Sequence, residues 1–180
     1  MPPFVGEPAA TANRSPYIVP LGELIDTFGT TEARRALLRN LLRYRELLAG
    51  AGYVSGLQFI DGSFVESVEV TQGRAPNDID LFSFLNAPAS FLDGSSNWSL
   101  HGLPFWKDEI INRKKNKERF CLDTYAILLQ ERDLASLIQD AIYWYSLFSH
   151  QRETLAWKGF AAVPLDVDGD QAAKAALGGP

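Results

Sequence analysis

The chain has 180 residues, 46% of them hydrophobic, with a formal net charge of −5 and a single cysteine. That length suits one compact domain and excludes two large ones; the acidic balance excludes a generally basic nucleic-acid binder, so any nucleotide contact must come from a local basic patch. The lone Cys121 excludes an intramolecular disulfide and a cysteine-rich metal site, and its apolar neighbours predict a small buried side chain.

Residues 1–20 hold five of the ten prolines and read as an extended arm ahead of a domain over 21–165. The start Met1-Pro2-Pro3-Phe4 lacks a basic n-region and a long apolar h-region. No apolar run approaches the roughly 18 residues of a membrane span, so the sequence implies a cytoplasmic protein with no membrane insertion. Thr30 and Thr31 ahead of Glu32 mark a helix start. The helix is expected over about 31–48, with Leu37, Leu38, Leu41, Leu42 and Leu48 on one side and Gly50 as its stop. Arg35, Arg39 and Arg43 recur every four residues on the other side. They read either as a solvated face partly neutralised by Glu46 or as a nucleotide or nucleic-acid surface.

Residues 56–60 predict a strand ending at Gly62-Ser63. From 64 to 76 the pattern is too broken to classify, a short strand over 65–70 and a turn at Gln72-Gly73 being the candidates. A second core strand is expected over 79–84, a loop-rich stretch over 86–105, and a third strand over 120–129, apolar except for Asp123 and Thr124. The charged run Arg113, Lys114, Lys115, Lys117 and Arg119 just before it reads as a solvated loop, or as a contact for an anionic acceptor or triphosphate tail. A strongly apolar helix is predicted over about 132–150. A late strand over 158–165 belongs at a sheet edge, because Pro164 is poorly tolerated in a central one. Small and acidic residues predict a frayed tail over 166–180. The resulting class is α/β (α+β), a mixed sheet flanked by helices.

Asp78 and Asp80 carry the chemistry. Two carboxylates spaced by two in an extended segment share a sheet face. Like charges that close repel unless a cation lies between them. Oxygen ligands without histidine or cysteine suit Mg²⁺ or Mn²⁺. Asp123, alone in an apolar strand, needs a partner: a shared metal or its bound water, or a buried ion pair with a lysine or arginine. Upstream, Gly62 permits close backbone approach to a phosphate and Ser63 offers a hydroxyl or caps the turn. Arg74 is either a triphosphate contact or a rim charge. His101 and His150 are too few for a histidine metal motif, and no Ser–His–Asp arrangement stands out.

The string Asp61-Gly62-Ser63-Phe64-Val65, followed by Arg74 and Pro76-Asn77-Asp78-Ile79-Asp80, resembles the DNA polymerase beta-like nucleotidyltransferase superfamily in its minimal bacterial form. It looks like a small bacterial branch of it, with an arginine-rich helix before the motif and Trp157-Lys158-Gly159 near the closing strand. The resemblance spans residues 20–165 in outline and is specific over 59–84. It implies a nucleotidyltransferase-like mixed sheet and Mg²⁺-dependent transfer of a nucleoside monophosphate from an NTP to a hydroxyl acceptor. Asp78, Asp80 and Asp123 would be the catalytic and metal residues, with Gly62, Ser63, Arg74, Lys114 and Lys115 at the nucleotide. The acceptor the resemblance implies is a partner toxin or effector protein, a nucleic-acid end or another nucleotide, in toxin–antitoxin or antiphage defence. The alternative is a non-catalytic nucleotide-binding or toxin-neutralising module of the same fold.

Overall fold

The computed structural model describes residues 1–6, 13–94 and 97–178. Part of the expected arm, 7–12, and the last two residues of the expected tail lie outside them. The chain opens with a two-stranded antiparallel ribbon, β1 (Phe4–Val5) and β2 (Asn13–Arg14), then β3 (Tyr17–Ile18), α1 (Leu21–Phe28) and α2 (Glu32–Gly50). Strand β4 (Gly56–Asp61) leads through a tight helical turn, Gly62–Val65, into α3 (Val68–Thr71) and β5 (Ile79–Leu85). After α4 (Ala89–Leu92), the turns Trp98–Gly102, α5 (Leu103–Phe105) and Trp106–Ile110 lead to α6 (Arg113–Phe120) and β6 (Leu122–Leu128). Helix α7 (Leu134–Phe148), β7 (Ala161–Pro164) and α8 (Val167–Ala176) complete the chain.

Five strands form one mixed sheet in the order β3-β7-β4-β5-β6. The outer pairs β3–β7 and β5–β6 are parallel, and β4 runs antiparallel to both β7 and β5. One face packs under α1, α2 and α8: Ile60, Leu81, Leu122 and Val163 meet Leu24, Leu38, Leu41 and Leu48 in the larger core. The other face, with Phe59, Phe82, Phe84, Ile127 and Phe160, packs against Leu137, Ala141, Trp144 and Tyr145 of α7. Helices on both faces satisfy the rule that a sheet buries each apolar side. Among the described residues no helix is long and apolar enough to cross a membrane.

Helix α2 forms as its residues dictate. Thr31 caps it by accepting from the Arg34 backbone N–H, and the leucines at helical spacing fill the core. Past Gly50, Gly52 at φ +88° turns the chain toward β4, where a Cβ would come within 3.0 Å of Pro88.

Several elements differ from the sequence expectation. Strand β7 is central, not an edge: it lies between β3 and β4. Pro164 is tolerated because the N–H groups on its side of the strand face β3, and β3 pairs only as far as Ala162. Residues 65–70 form helical turns instead of a strand, and 89–92 and 97–105 are helical turns instead of loop, residues 95–96 of the expected loop lying outside the described ones. The basic run is helix α6, capped by Asn112, which accepts from the Lys115 N–H. Within the expected arm, β3 joins the sheet. The expected tail contains α8, anchored by buried Ala173 and Leu177. Cys121 is half-buried and adopts φ 54°, ending α6, so it serves as a helix terminator more than as a core hydrophobe.

Candidate active site

Three rows of side chains cross the sheet face that α7 covers. The β4–β5 ladder sets Asp61 opposite Asp80, and the β5–β6 ladder sets Asp80 opposite Asp123. Three aspartates thus stand abreast on adjacent strands. The next row is Phe59, Phe82 and Tyr125, and the one after it Leu57, Phe84 and Ile127. Alternation along each strand puts all three rows on one face. Trp144 of α7 stacks on Phe82 with ring centroids 4.3 Å apart and meets Tyr125 at 4.6 Å, sealing the aromatic row. The carboxylate row lies where that apolar cover ends. Asp78, two residues before Asp80, adds a fourth carboxylate just ahead of β5.

Four cations attend these carboxylates. Arg113 of α6 binds Asp123 through two hydrogen bonds, Nε to Oδ1 at 2.7 Å and Nη2 to Oδ2 at 2.8 Å. One helical turn on, Lys117 Nζ lies 2.7 Å from Asp78 Oδ2. Lys158, from the segment before β7, is buried with its Nζ 3.1 Å from Asp61 Oδ1 and 2.9 Å from Glu66 Oε1. The Lys158 ammonium is close to Asp61 but not aligned to donate to it, so that buried oxygen has no hydrogen-bond partner and the contact is chiefly coulombic. The positive charge of Arg152 also favours the ionised forms of Asp80 and Asp123.

The titration tendencies follow from this layout. Burial, then the charges of Asp78 and Asp123, push the Asp80 carboxyl above the ordinary range. Burial pushes Asp61 up to about 7, against the pull of Lys158 and the Gly62 N–H. The hydrogen bonds from Arg113 hold Asp123 below the usual carboxylate range.

The turn Gly62–Val65 closes directly over this row. Gly62 has φ +82°, and a Cβ there would stand 2.7 Å from Asp80 Oδ2, so glycine is required by conformation and by the nearness of the carboxylate. Buried Arg34 fixes the far side of the turn, donating to the carbonyls of Phe64 and Glu66, both at 2.6 Å, and pairing with Glu69.

The structure brings together Asp78, Asp80, Asp123, Gly62 and Ser63. Arg74 is exposed and donates to the carbonyl of its own neighbour Ala75. Lys115 points to Asp108 and Glu109, each at 2.6 Å. Lys114 is exposed on α6. The sequence expectation gives Arg113 and Lys117 only as part of a basic run for an anionic acceptor or triphosphate tail, not as partners of Asp123 and Asp78, and assigns Asp61, Arg152 and Lys158 no site role. The signal for Asp61 was its position two residues after Phe59 on the same strand. For Arg113 and Lys117 it was their spacing of four, once the run is taken as a helix.

The family model described as "Family of unknown function (DUF6932)" matches residues 2–164. The chain belongs to that family. Neither the comparison with curated proteins nor that with solved structures gave a match. The DUF6932 span includes every site residue named above and ends at the last residue of β7, before α8.

Among the described residues no three His, Cys, Asp or Glu side chains are gathered as a metal centre; Asp78 and Asp123 are turned toward Lys117 and Arg113. The donor set nonetheless fits a hard divalent cation. It consists of carboxylate oxygens, and the repulsion Asp80 feels from Asp78 and Asp123 is what such a cation relieves.

Proposed function

We propose that this DUF6932 protein is a divalent-metal-dependent nucleotidyltransferase that moves a nucleoside monophosphate from an NTP to a hydroxyl acceptor. The observation that carries this reading is the row Asp61–Asp80–Asp123 on adjacent strands, with Gly62 held against Asp80. Asp78, Asp80 and Asp123 would hold Mg²⁺ or Mn²⁺. Bound there, the metal would neutralise the triphosphate and lower the pKa of the attacking hydroxyl. Asp123 would also accept the acceptor's proton as general base. The Gly62–Val65 turn offers close backbone approach to the phosphates, with Ser63 half-exposed at its start. The aromatic row sealed by Trp144 keeps water away from one side of the carboxylates. The acceptor would be a hydroxyl of a partner toxin or effector protein, of a nucleic-acid end or of a second nucleotide.

A second reading, a non-catalytic nucleotide-binding or toxin-neutralising module, is favoured by one observation: protein cations already neutralise Asp78 and Asp123. The two are separated by incubating the protein with each labelled NTP and Mg²⁺, with and without candidate acceptors, followed by mass spectrometry. Covalent nucleotide transfer that Asp80→Asn abolishes supports the enzyme. The same protein should gain about 3 kcal/mol of stability at a hundred-fold excess of Mg²⁺ over its Kd, and Asp80→Asn none. Equal gains in both would remove the carboxylate row from the metal.

A further inference from the structure

Arg113 and Lys117 sit where a metal-dependent enzyme would place cations of another kind. They stand one turn apart on α6 and project to the same side. Each covers a carboxylate that is mostly enclosed, with side-chain exposures of 15% for Asp123 and 21% for Asp78. The two basic side chains are themselves 53% and 57% exposed. The acids are therefore fixed in the sheet while the bases reach in from solvent. The single contact of Lys117 is of the weakly held kind, whereas the two-pronged pair of Arg113 is the stronger and yields only to a competing cation of higher charge.

The backbone of α6 is held in place independently of these pairs. Buried Asn116 donates to the carbonyls of Glu109 and Ile110, at 2.9 and 3.1 Å, and to Thr124 Oγ1 of β6 at 2.9 Å. Lys115 and Arg119 tie the helix to Glu109. If Arg113 and Lys117 release their carboxylates, the side chains swing and the helix remains. While bound to Asp123 the Arg113 guanidinium also lies 4.3 Å over the Tyr125 ring, a contact it gives up when it turns outward.

We propose that Arg113 and Lys117 are placeholder cations. In the metal-free protein they occupy Asp123 and Asp78; when a divalent cation takes those carboxylates, the two side chains turn outward and bind the phosphates of the nucleotide. This rests on the metal-site reading above and accounts for the carboxylates being neutralised without metal. Its consequence is a pair of opposite effects. Removing the placeholders frees the carboxylates for metal but removes two phosphate contacts. A purely structural role would weaken both affinities together.

The test is calorimetric titration of the wild type, the double variant Arg113→Gln/Lys117→Gln, and Asp80→Asn. Mn²⁺ is titrated first without nucleotide; then an α,β-methylene adenosine triphosphate is titrated at saturating Mn²⁺. The double variant should bind Mn²⁺ about tenfold more tightly and the triphosphate analogue about tenfold more weakly than the wild type. Thermal melts check that it is folded, which the exposure of both side chains favours. The proposal is overturned if both affinities fall together, or if either is unchanged. Asp80→Asn separates this failure from that of the functional reading. If Mn²⁺ binding survives Asp80→Asn, the carboxylate row is not the metal site and both readings fall. If Asp80→Asn abolishes binding while the double variant behaves like the wild type, the placeholder role alone falls.

Discussion

Alanine at position 62 should damage the protein in two separable ways. Gly62 has φ +82°, a conformation that costs an L-residue about 1–2 kcal/mol. The added Cβ would also stand 2.7 Å from Asp80 Oδ2 and 3.0 Å from its Cγ, so the carboxylate must move. Pushing Asp80 off its rotamer costs about 0.5–1.5 kcal/mol more. Gly62→Ala should therefore destabilise by about 2 kcal/mol, lowering Tm by about 4–8 °C for a domain of this size. Divalent-cation affinity should fall as well, because the displaced group is the central carboxylate of the row. The assay is a double-mutant cycle of melts with Gly62→Ala, Asp80→Ala and the pair. With the carboxylate removed, only the backbone strain remains, so the two substitutions should couple by about 1 kcal/mol. Strict additivity, or a Gly62→Ala protein that melts and binds Mn²⁺ like the wild type, would refute the claim that glycine is kept there to seat Asp80.

Two further outcomes follow from buried charge. Arg45 is fully buried, paired with Asp170 and donating to Gln58 and the Pro164 carbonyl; Arg45→Ala should cost about 3–5 kcal/mol in urea unfolding by leaving Asp170 and those acceptors without a donor. Asp61 titrates at about 7 in the folded protein and at about 4 when unfolded, so between those pH values the folded state binds more protons and stability falls as pH rises. Asp61→Asn should flatten that slope in melts from pH 4 to pH 7; an unchanged slope would assign the pH dependence to another group.

The sequence disclosed those parts of the fold that follow a local period. Helix α2 announces itself through its threonine cap and spaced leucines, and β5 and β6 through apolar runs interrupted by single acids. The nearness of Asp78 to Asp80 was legible from their spacing, although Asp78 lies just ahead of β5 and not within it. Asp61 became a member of the row only through the β4–β5 register, which long-range pairing sets. Helix α6 was hidden because its residues Arg113 to Phe120 carry no apolar stripe; it is held by an asparagine cap and by Asn116 reaching across to β6. Arg34 and Arg45 stand outside the Arg35, Arg39 and Arg43 repeat, and no local period marks their role. They turn inward, because backbone carbonyls and the acids Glu69 and Asp170 await them there. Lys158, similarly, has a role only once the Gly62–Val65 turn brings Asp61 and Glu66 together.

The anchoring of Arg45 makes the end of the chain less dispensable than its composition suggests. Every strand of the sheet is complete by Pro164, where the shared family segment also stops. Yet the counter-charge for the arginine buried in the second half of α2 comes from Asp170, on the helix that follows. A shortened protein ending at Leu165 would keep the strands and the acidic row but leave the Arg45 guanidinium without its anion and without the helix that packs beside it. Relatives that diverge beyond this boundary must either supply an acid from elsewhere or replace the arginine. The residue matching Arg45 and the segment after β7 are thus expected to change in concert across the family.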